Sequence, residues 1–482
     1  MNKKYVFFLF GRSAQTIAAL MLLPALVAVI YNEYKCLSAF LITAILSFLL
    51  GTVIAFCCRT DNRVIYAKEG FAIVAIAWIG LSLIGALPFV ISEEIPSYVD
   101  ALFETVSGFT TTGSTILTDI EALSRSMLFW RSFTHWVGGM GVLVFVMAIV
   151  SNLSERSIHI MRAEMPGPVV GKIVPRVRNT AKILYFIYII MTVIEIILLK
   201  FGGMPWFDSI VHTFGTAGTG GFGIKGDSIG GYSNFCQIVI AVAMIFFGIN
   251  FNLYYLLLIR RFRSIAKSTE LWAYLAIIFV SVSVIAFNIY PIYESASDSV
   301  RLSLFQVSSI ITTTGFSTAD FNLWPSLSKS IILLLMCFGG CAGSTAGGLK
   351  ISRVVILFKL ILKELRRMLH PRAVTSVEFD GKAVDNQTLG SVATYFAVYV
   401  LCVVTAFIAI SFEPFDFETN LSATLATFNN VGPGLGAVGP LASFASYSDF
   451  SKIVFSFAML LGRLEIFPLI LALSPSVWMK KR

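Results

Sequence analysis

The chain has 482 residues, of which 57% are hydrophobic and 13% are charged. Soluble domains carry about 25% charged residues, so this composition excludes a soluble globular protein and predicts an all-α protein that crosses a membrane many times. The formal net charge of +9 does not indicate nucleic-acid binding, because the basic residues are scattered between apolar segments without interleaved aromatic residues.

Ten segments are apolar over about the twenty residues needed to cross ~30 Å of hydrocarbon. The first two form an N-terminal hairpin, which we expect to be retained because no persuasive small-residue cleavage site follows the basic start. The other eight form four pairs, each separated by a polar stretch. The predicted spans are 13–31, 38–58, 70–92, 128–152, 181–201, 233–258, 270–291, 327–358, 390–412 and 450–477.

The distribution of charge predicts which side of the membrane each connection faces. If both termini are cytoplasmic, the cytoplasmic segments contain 27 Lys and Arg against 9 Asp and Glu, and the external segments contain 8 against 16. Arg463, Glu195 and Glu465 lie within spans. Because Lys and Arg are enriched on the cytoplasmic side of membrane proteins, we expect cytoplasmic termini and external polar stretches.

The four polar stretches share a short uncharged motif that contains glycine. The first reads GFTTTGST (108–115) and the third reads IITTTGFST (310–318). Each motif follows about twelve semi-apolar residues, which are too few to cross the bilayer and enough for a half-helix. Phe103 and Phe305 both lie ten residues before their glycine. The aligned glycines are Gly113, Gly221, Gly315 and Gly432, separated by 108, 94 and 117 residues.

This pattern predicts four repeats of helix, half-helix with loop, and helix, in a pseudo-four-fold arrangement around one pore. The predicted units are an N-terminal hairpin at 1–69 and pore repeats at 70–180, 181–269, 270–389 and 390–482.

The chemistry of the four motifs favours a dehydrated monovalent cation. Irregular backbone at membrane depth is tolerated only where it is buried or lines a watery path, and backbone carbonyls can replace the hydration shell of an ion. Calcium selectivity would call for Asp or Glu in the motifs, and none is present. We therefore predict a potassium-selective filter that binds K⁺ through backbone carbonyls. The predicted filter residues are Thr111, Thr112, Gly113, Thr219, Gly220, Gly221, Thr313, Thr314, Gly315, Asn430, Val431 and Gly432.

Five stretches resemble the Trk/Ktr/HKT superfamily of potassium transporters, and in particular the membrane subunit of the bacterial Trk system. They are RSFTHWVGGMGVLV (131–144), EMPGPVVGKIVPRVRNTAK (164–182), FGGCAGSTAGGLKISR (338–353), NNVGPGLG (429–436) and MLLGRLEIFP (459–468). The two additional N-terminal spans also resemble Trk rather than the shorter Ktr plan.

The resemblance carries expectations about function and partners. It implies uptake of potassium, and of rubidium, across the bacterial inner membrane through a four-loop filter. Glycine at all four filter positions goes with potassium preference in that superfamily, and serine in the first loop goes with sodium permeation in some plant members. The resemblance also implies a homodimer, and a cytosolic ring of nucleotide-binding regulatory subunits.

A glycine-rich stretch in the span 327–358 is the candidate gate. Five glycines lie within residues 337–350, although glycine destabilises a helix by about 1 kcal/mol relative to alanine. Close helix packing through Gly343 and Gly347, a GxxxG pair, is one interpretation. The resemblance implies another, in which this segment is an intramembrane loop that obstructs the pore beside Arg463. The predicted gate residues are Gly339, Gly340, Gly343, Ser344, Thr345, Gly347, Gly348, Lys350 and Arg463.

Other functions have weaker support in the sequence. Two GxGxxG strings, at 218–223 and 434–439, neither follow a predicted strand nor open a βαβ unit. The seven cysteines and four histidines show no metal-binding spacing. An enzyme would need paired intramembrane acids, whereas Glu195 and Glu465 are far apart, so we expect no catalysis and no cofactor. The alternative function is a potassium symporter coupled to protons or sodium, with Glu195 as a proton site or as a structural hydrogen-bonding group.

Overall fold

The computed structural model describes residues 2–60, 66–141, 177–373 and 375–478. The part of the predicted span 128–152 beyond residue 141, most of the loop 153–180 and most of the motif at 164–182 lie outside the described residues.

The N-terminal region is a helical hairpin. Helices α1 (Lys3–Leu20) and α2 (Leu22–Ile30) follow each other across Met21, and α3 (Tyr34–Cys57) packs along α1. A Cβ on Gly11 would lie 2.7 Å from the carbonyl oxygen of Gly51, and one on Gly51 would lie 2.6 Å from that of Gly11. Small residues let helix backbones approach closely in a membrane, so these two glycines set the spacing of α1 and α3.

Each of the four segments predicted as repeats contains a long helix, a short helix and at least one further helix. The first has α4 (Ala67–Ile91), the half-helix α5 (Tyr98–Phe109) and α6 (Arg125–Gly139). The second has α7 (Val177–Phe201), the half-helix α8 (Trp206–Gly218), α9 (Asn234–Phe247) and α10 (Phe251–Leu258), followed by the short α11 (Phe262–Ala266).

The third has α12 (Thr269–Tyr293), the half-helix α13 (Ala296–Ile311), α14 (Ser326–Cys337) and α15 (Ile351–Leu369). A two-stranded antiparallel hairpin follows, with β1 (Glu378–Phe379) paired to β2 (Lys382–Ala383). The fourth has α16 (Asn386–Ile410), the half-helix α17 (Phe417–Phe428), α18 (Asp449–Arg463), α19 (Phe467–Leu473) and the short α20 (Pro475–Trp478).

Polar residues at the N-termini of the helices fix where many of them begin. A serine or aspartate side chain accepts a hydrogen bond from the backbone N–H three residues later at the start of α5, α6, α9, α12, α13, α16, α17 and α18. Such caps satisfy backbone donors that a helix leaves free in its first turn. Three of the four half-helices, α5, α13 and α17, therefore have capped starts, whereas α8 follows Pro205 and has no side-chain cap.

The burial pattern is that of a protein in lipid. Among the described residues, six helical segments are long and apolar enough to cross a membrane, and two bent pairs also qualify if each pair is counted as one span. Phe279 and Phe287 on α12 are 73% and 86% exposed, whereas Thr112, Thr314 and Asn430 in the motifs are fully buried. Phe103 and Phe305, the pair in register, are also fully buried. The predicted all-α membrane fold is confirmed, with the polar motifs buried inside the protein and many large apolar side chains exposed on its outer surface.

Two spans predicted as continuous are broken. α9 and α10 meet at an angle of 88°, and α18 and α19 at 118°. At the first break, the Asn250 side chain accepts from the N–H of Asn252 and starts a new helix. At the second, Glu465 and Ile466 have positive φ values of +51° and +66°, which a right-handed helix does not allow, so α18 ends before them. The interruption predicted within 327–358 is present, between Cys337 and Ile351.

Candidate functional site

The four glycine motifs share one unusual backbone conformation. The aligned glycines all have positive φ values: Gly113 +84°, Gly221 +74°, Gly315 +87° and Gly432 +101°. Two residues earlier φ is positive again: Thr111 +55°, Thr219 +56°, Thr313 +56° and Asn430 +57°. This conformation is easy for glycine and costly for β-branched threonine. Backbone strain repeated at equivalent positions is typical of a functional site.

The motifs form a closed ring in chain order. A Cβ on Gly113 would lie 2.1 Å from the carbonyl oxygen of Gly220 in the second motif. A Cβ on Gly221 would lie 1.9 Å from the carbonyl oxygen of Thr314 in the third motif. A Cβ on Gly315 would lie 2.2 Å from that of Val431 in the fourth motif, and one on Gly432 would lie 2.8 Å from that of Thr112 in the first. Each loop therefore touches the next, and the fourth touches the first. No side chain fits at these glycines without moving a neighbouring carbonyl.

Each half-helix ends directly before its motif. The last helical residues are Phe109, Gly218, Ile311 and Phe428. Because the C-terminal end of a helix carries partial negative charge, four such ends directed toward one ring favour a cation there. This effect requires no ionised side chain.

The second motif departs from the others for a steric reason. It has Gly220 where the first and third motifs have threonine. A Cβ on Gly220 would lie 2.2 Å from the imidazole ring of His135, which comes from α6 of the first repeat. The His135 Nδ1–H donates to the carbonyl of Gly108 at 2.8 Å. His135 thus occupies the space that a second threonine would need.

Hydroxyl groups form hydrogen bonds within the first and third loops, and an amide group connects the fourth loop to the first, all before the aligned glycines in sequence. Thr110 and Thr112 share a hydrogen bond of 2.7 Å, and Thr312 and Thr314 share an equivalent one of 2.7 Å. The Asn430 amide donates to the Thr112 hydroxyl at 2.9 Å, across 318 residues of sequence.

Two buried oxygens of the predicted filter residues remain without a hydrogen-bond partner among the described residues. They are the hydroxyl of Thr111 and the amide oxygen of Asn430. A buried oxygen without a hydrogen-bond donor is costly in a protein interior. Such oxygens suit a cation, because a cation needs oxygen atoms as ligands.

A cavity of about 340 Å³ lies on the other side of the ring. All four aligned glycines line it, together with the residues that follow them. Its wall also contains Asp119, Glu121 and Lys225. The cavity therefore gives the ring an open side with mixed charge.

A buried ion pair supports the first and second loops from behind. Glu104 of α5 and Arg131 of α6 form a salt bridge, and their side chains are 0% and 1% exposed. The Glu104 carboxylate also accepts from the Thr115 hydroxyl and the Ile116 N–H at 3.0 Å. Arg131 donates to the carbonyl of Gly223 at 2.9 Å, and its guanidinium lies 3.8 Å from the centre of the Phe222 ring. The pair joins the chain segments that follow both motifs.

The glycine-rich segment between α14 and α15 lies against the ring. The N–H of Gly347 donates to the Thr313 hydroxyl at 2.7 Å, and a Cβ on Gly347 would lie 2.9 Å from the carbonyl of Asn429. Gly339 donates to the carbonyl of Leu349 at 2.9 Å, which closes the segment into a loop. Gly343 and Gly348 have positive φ, at +76° and +65°. The glycine-rich segment thus lies on the opposite side of the ring from the cavity of about 340 Å³.

Arg463 at the end of α18 binds this segment through backbone carbonyls. Its guanidinium donates to Thr345 at 2.7 Å, to Gly139 at 2.7 Å and also to Gly138. It therefore joins the glycine-rich segment to the C-terminal end of α6, where partial negative charge favours a cation. Arg463 and Lys350 both line a small cavity of about 30 Å³ beside the segment.

Further ionisable residues hold the two ends of the segment. One oxygen of the Glu270 carboxylate accepts from the N–H of Ala342 at 2.7 Å and of Ser352 at 2.9 Å. Arg353 forms a buried salt bridge with Glu465. Glu465 thus pairs with the start of α15 rather than with Arg463.

Comparisons with known proteins agree with this architecture. The family model for TrkH, described as a cation transport protein, matches residues 37–480. The chain belongs to the TrkH family of cation transport proteins. As a member of the TrkH family it is a transporter rather than an enzyme, and the resemblance to the bacterial Trk membrane subunit is confirmed.

Individual TrkH relatives match over nearly the whole chain. The Trk system potassium uptake protein TrkH of Salmonella typhimurium is 36% identical over 464 residues, which cover 95% of each chain. TrkG of Escherichia coli is 34% identical over 466 residues, covering 95% of this chain and 96% of TrkG. The crystal structure of the potassium transporter TrkH from Vibrio parahaemolyticus has a TM-score of 0.89 at 32% identity, and covers 99% of this chain and 100% of that chain.

Several residues of the site were not singled out by the sequence. Glu104, Arg131 and His135 support the ring from outside the motifs, and Glu270 and Arg353 hold the glycine-rich segment. A signal was available for Arg131 and His135, which are polar residues near the external start of the predicted span 128–152. Glu104 lies between the predicted spans 70–92 and 128–152, and Glu270 lies at the start of the span 270–291, so both look like ordinary exposed acids.

Glu195, which is a proton site in one interpretation and a structural hydrogen-bonding group in the other, faces the hydroxyl of Thr216 on α8 without a hydrogen bond of normal geometry. Both of its carboxylate oxygens are buried without a hydrogen-bond partner among the described residues. The hydroxyl of Thr216, on α8, donates to the carbonyl of His212 instead.

Proposed function

We propose that the protein takes up potassium ions across the bacterial inner membrane, through a pore whose selectivity filter is the ring of four glycine motifs. The observation that carries this proposal is the closed ring, with positive φ at every aligned glycine and two residues before it. The named Trk relatives, which are potassium uptake proteins, support the choice of ion.

In the proposed filter, K⁺ is bound by backbone carbonyls of residues 111–113, 219–221, 313–315 and 430–432. These carbonyls replace the hydration shell of the ion. None of these residues is ionisable, which suits a weakly hydrated monovalent cation and disfavours calcium, whose sites use carboxylates. Rubidium, similar in size and charge, is expected to pass as well.

The glycine-rich segment with Arg463 is the proposed gate. Contact of Gly347 with Thr313 places the segment against the ring, and Arg463 and Lys350 add positive charge on that side. Such charge raises the electrostatic barrier to a cation. Opening requires the contacts of Arg463 with Thr345 to be released.

We further propose cytoplasmic termini, a homodimer, and regulation by a cytosolic nucleotide-binding ring of the Trk type. The charge asymmetry of the connections supports the orientation. The homodimer and the regulatory ring rest on the family resemblance.

A potassium symporter coupled to protons or sodium is the second candidate function. It is favoured by Glu195, a carboxyl that is 2% exposed inside a membrane helix and has no hydrogen-bond partner among the described residues. Ionisable groups in such positions often mark proton or ion pathways. In reconstituted vesicles, a reversal potential that follows the proton or sodium gradient would favour this candidate, and one that follows potassium alone would favour the channel.

Growth rescue of a potassium-uptake-deficient strain tests the proposed filter, with the Trk regulatory subunit co-expressed. Wild type should restore growth at low potassium, whereas Gly113→Ser should lose the preference for potassium over sodium. Gly390→Ser is the matched control, because a Cβ at Gly390 meets nothing within 4 Å. Absence of rescue by the expressed wild type at any potassium level, or unchanged selectivity in Gly113→Ser, would contradict the proposal.

A further inference from the structure

We propose that a groove on the lipid-facing surface of the second repeat binds the acyl chain of an anionic phospholipid, whose headgroup is held by the arginines that follow α10. This site is separate from the ion pathway. It is defined by the apolar groove between α7, α9 and α10, and by the basic turn after Leu258.

The groove has the size and chemistry of a binding site for an apolar chain. Its volume is about 550 Å³, within the ~300–1,000 Å³ typical of small-molecule sites. Its wall on α7 runs from Phe186 to Leu198, which corresponds to about 18 Å of helix. Glu195 is the only acidic or basic residue among those that line it, and that residue is 2% exposed. The rest of the lining is aliphatic or aromatic.

The bend between α9 and α10 creates the groove. The two helices meet at 88°, so α10 runs across the direction of α9 and closes one end of the space between α9 and α7. Leu257 and Leu258, the last residues of α10, line this closed end. An acyl chain lying along α7 would therefore reach the end of α10.

A basic cluster begins two residues after the groove ends. Arg260, Arg261, Arg263 and Lys267 follow Leu258 with no acidic residue between them. Arg260 and Arg261 are held at a tight turn, since their N–H groups donate to the carbonyls of Leu257 and Leu256 at 3.0 and 2.9 Å. The three arginines are exposed, and no salt bridge joins them to another described residue.

Aromatic residues beside the cluster indicate the membrane interface. Phe262 and Trp272 are 59% and 58% exposed, and the Trp272 indole donates to the carbonyl of Ala266 at 2.9 Å. Tryptophan is enriched at the level of lipid headgroups. Basic groups at that level, next to a groove between membrane helices, are suited to anionic lipid headgroups. Charge complementarity therefore selects a phospholipid over a second copy of this chain, which would bring the same positive charge.

Native mass spectrometry of the full-length protein in micelles with phosphatidylglycerol and phosphatidylcholine tests the proposal. Wild type should retain phosphatidylglycerol in preference to phosphatidylcholine. The triple variant Arg260→Gln, Arg261→Gln, Arg263→Gln should weaken phosphatidylglycerol binding by about tenfold or more, since each basic residue near a membrane surface contributes measurably to binding. The control is Lys363→Gln, Arg366→Gln, Arg367→Gln on α15, which should retain the lipid.

Filling the groove provides an independent variant. Val242→Trp, at an exposed position in the groove wall, should lose both lipids, whereas Val280→Trp, at an exposed position on α12 away from the groove, should lose neither. Glycerol phosphate, the headgroup chemistry without chains, should not displace the lipid at millimolar concentration.

Three outcomes would overturn the proposal. They are equal retention of phosphatidylglycerol by the triple variant and wild type, unchanged lipid content in Val242→Trp, and a change in oligomeric state in Val242→Trp without a change in lipid. The last result would assign the groove to a second copy of the chain.

Discussion

The ring of glycine motifs and the glycine-rich segment beside it are both irregular backbone inside a membrane protein, yet they are held in different ways. In the ring, direct contacts between loops involve carbonyls, hydroxyls and one amide, and the Glu104–Arg131 pair lies behind it. The segment is held by charged groups, with Glu270 at both of its ends and Arg463 on its Thr345 carbonyl.

The difference matches what each part is proposed to do. A site that must bind and release a cation many times benefits from neutral oxygens at fixed positions, because a fixed charge would bind too tightly or repel. A segment that must leave the pore is better held by a few contacts that can be exchanged. Four predictions test whether the contacts in the ring are fixed and the contacts of the glycine-rich segment are exchangeable.

The largest effect on transport is expected for Gly315→Ala in the ring. The new Cβ would lie 2.2 Å from the carbonyl oxygen of Val431, and the residue has φ of +87°. We expect rubidium uptake by reconstituted vesicles to fall by about 100-fold, which corresponds to about 2.7 kcal/mol. Gly390→Ala, where space is open, should leave uptake unchanged. Normal uptake in Gly315→Ala would show that the ring is not rigid.

Breaking the ion pair behind the ring should destabilise the protein. Glu104→Gln or Arg131→Met leaves a buried charge unpaired, at a cost of about 3–5 kcal/mol, and the double variant should recover part of this. Thermal unfolding in detergent measures the effect. Glu93→Gln, at the exposed pair with Lys35, is the control and should leave the melting temperature unchanged. Equal melting temperatures for Glu104→Gln and Glu93→Gln would contradict a supporting role.

Arg463→Ala should increase leak without lowering selectivity. It removes donors to the carbonyls of Thr345, Gly138 and Gly139, so the segment is expected to leave the ring more often. Rubidium flux without the regulatory subunit should rise about tenfold, which corresponds to about 1.4 kcal/mol. Arg463→Lys should give an intermediate flux. Unchanged rubidium flux in Arg463→Ala would show that this arginine is not part of the gate.

The smallest effect is expected for Glu270→Gln. The amide oxygen can still accept from Ala342 and Ser352, but a neutral acceptor is weaker than a charged one by about 1 kcal/mol. We expect a roughly fivefold increase in basal flux and faster hydrogen exchange in residues 338–350. Glu364→Gln, at an exposed pair with Arg367, is the control. Slower exchange in Glu270→Gln would indicate that this carboxylate destabilises the closed segment.

Much of the backbone plan could be predicted from the sequence, because hydrophobic length and turn chemistry are local properties. The half-helices were predicted at about twelve residues and contain 12, 13, 16 and 12. The positive φ at Gly113 follows from what glycine permits. The same local reasoning missed the breaks after Phe247 and Arg463, because both stretches remain apolar across the break.

The side chains that support the site depend on contacts between distant segments. Glu104 and Arg131 are 27 residues apart, and Arg353 and Glu465 are 112 residues apart. Neither pair has a helical spacing that would reveal it. Gly220 in the second motif is explained only by His135, whose position follows from packing between two repeats.

The short half-helices also bear on biosynthesis. At 1.5 Å per residue they are about 18 to 24 Å long, which is less than the ~30 Å thickness of the hydrocarbon layer. We therefore do not expect each half-helix to insert into the bilayer by itself. The hydrogen bond from Asn430 to Thr112 joins the fourth loop to the first, 318 residues earlier in the chain. The ring therefore closes only after the fourth loop has been translated. A nascent chain that stops before its fourth loop already has the spans of the first three repeats and no ring.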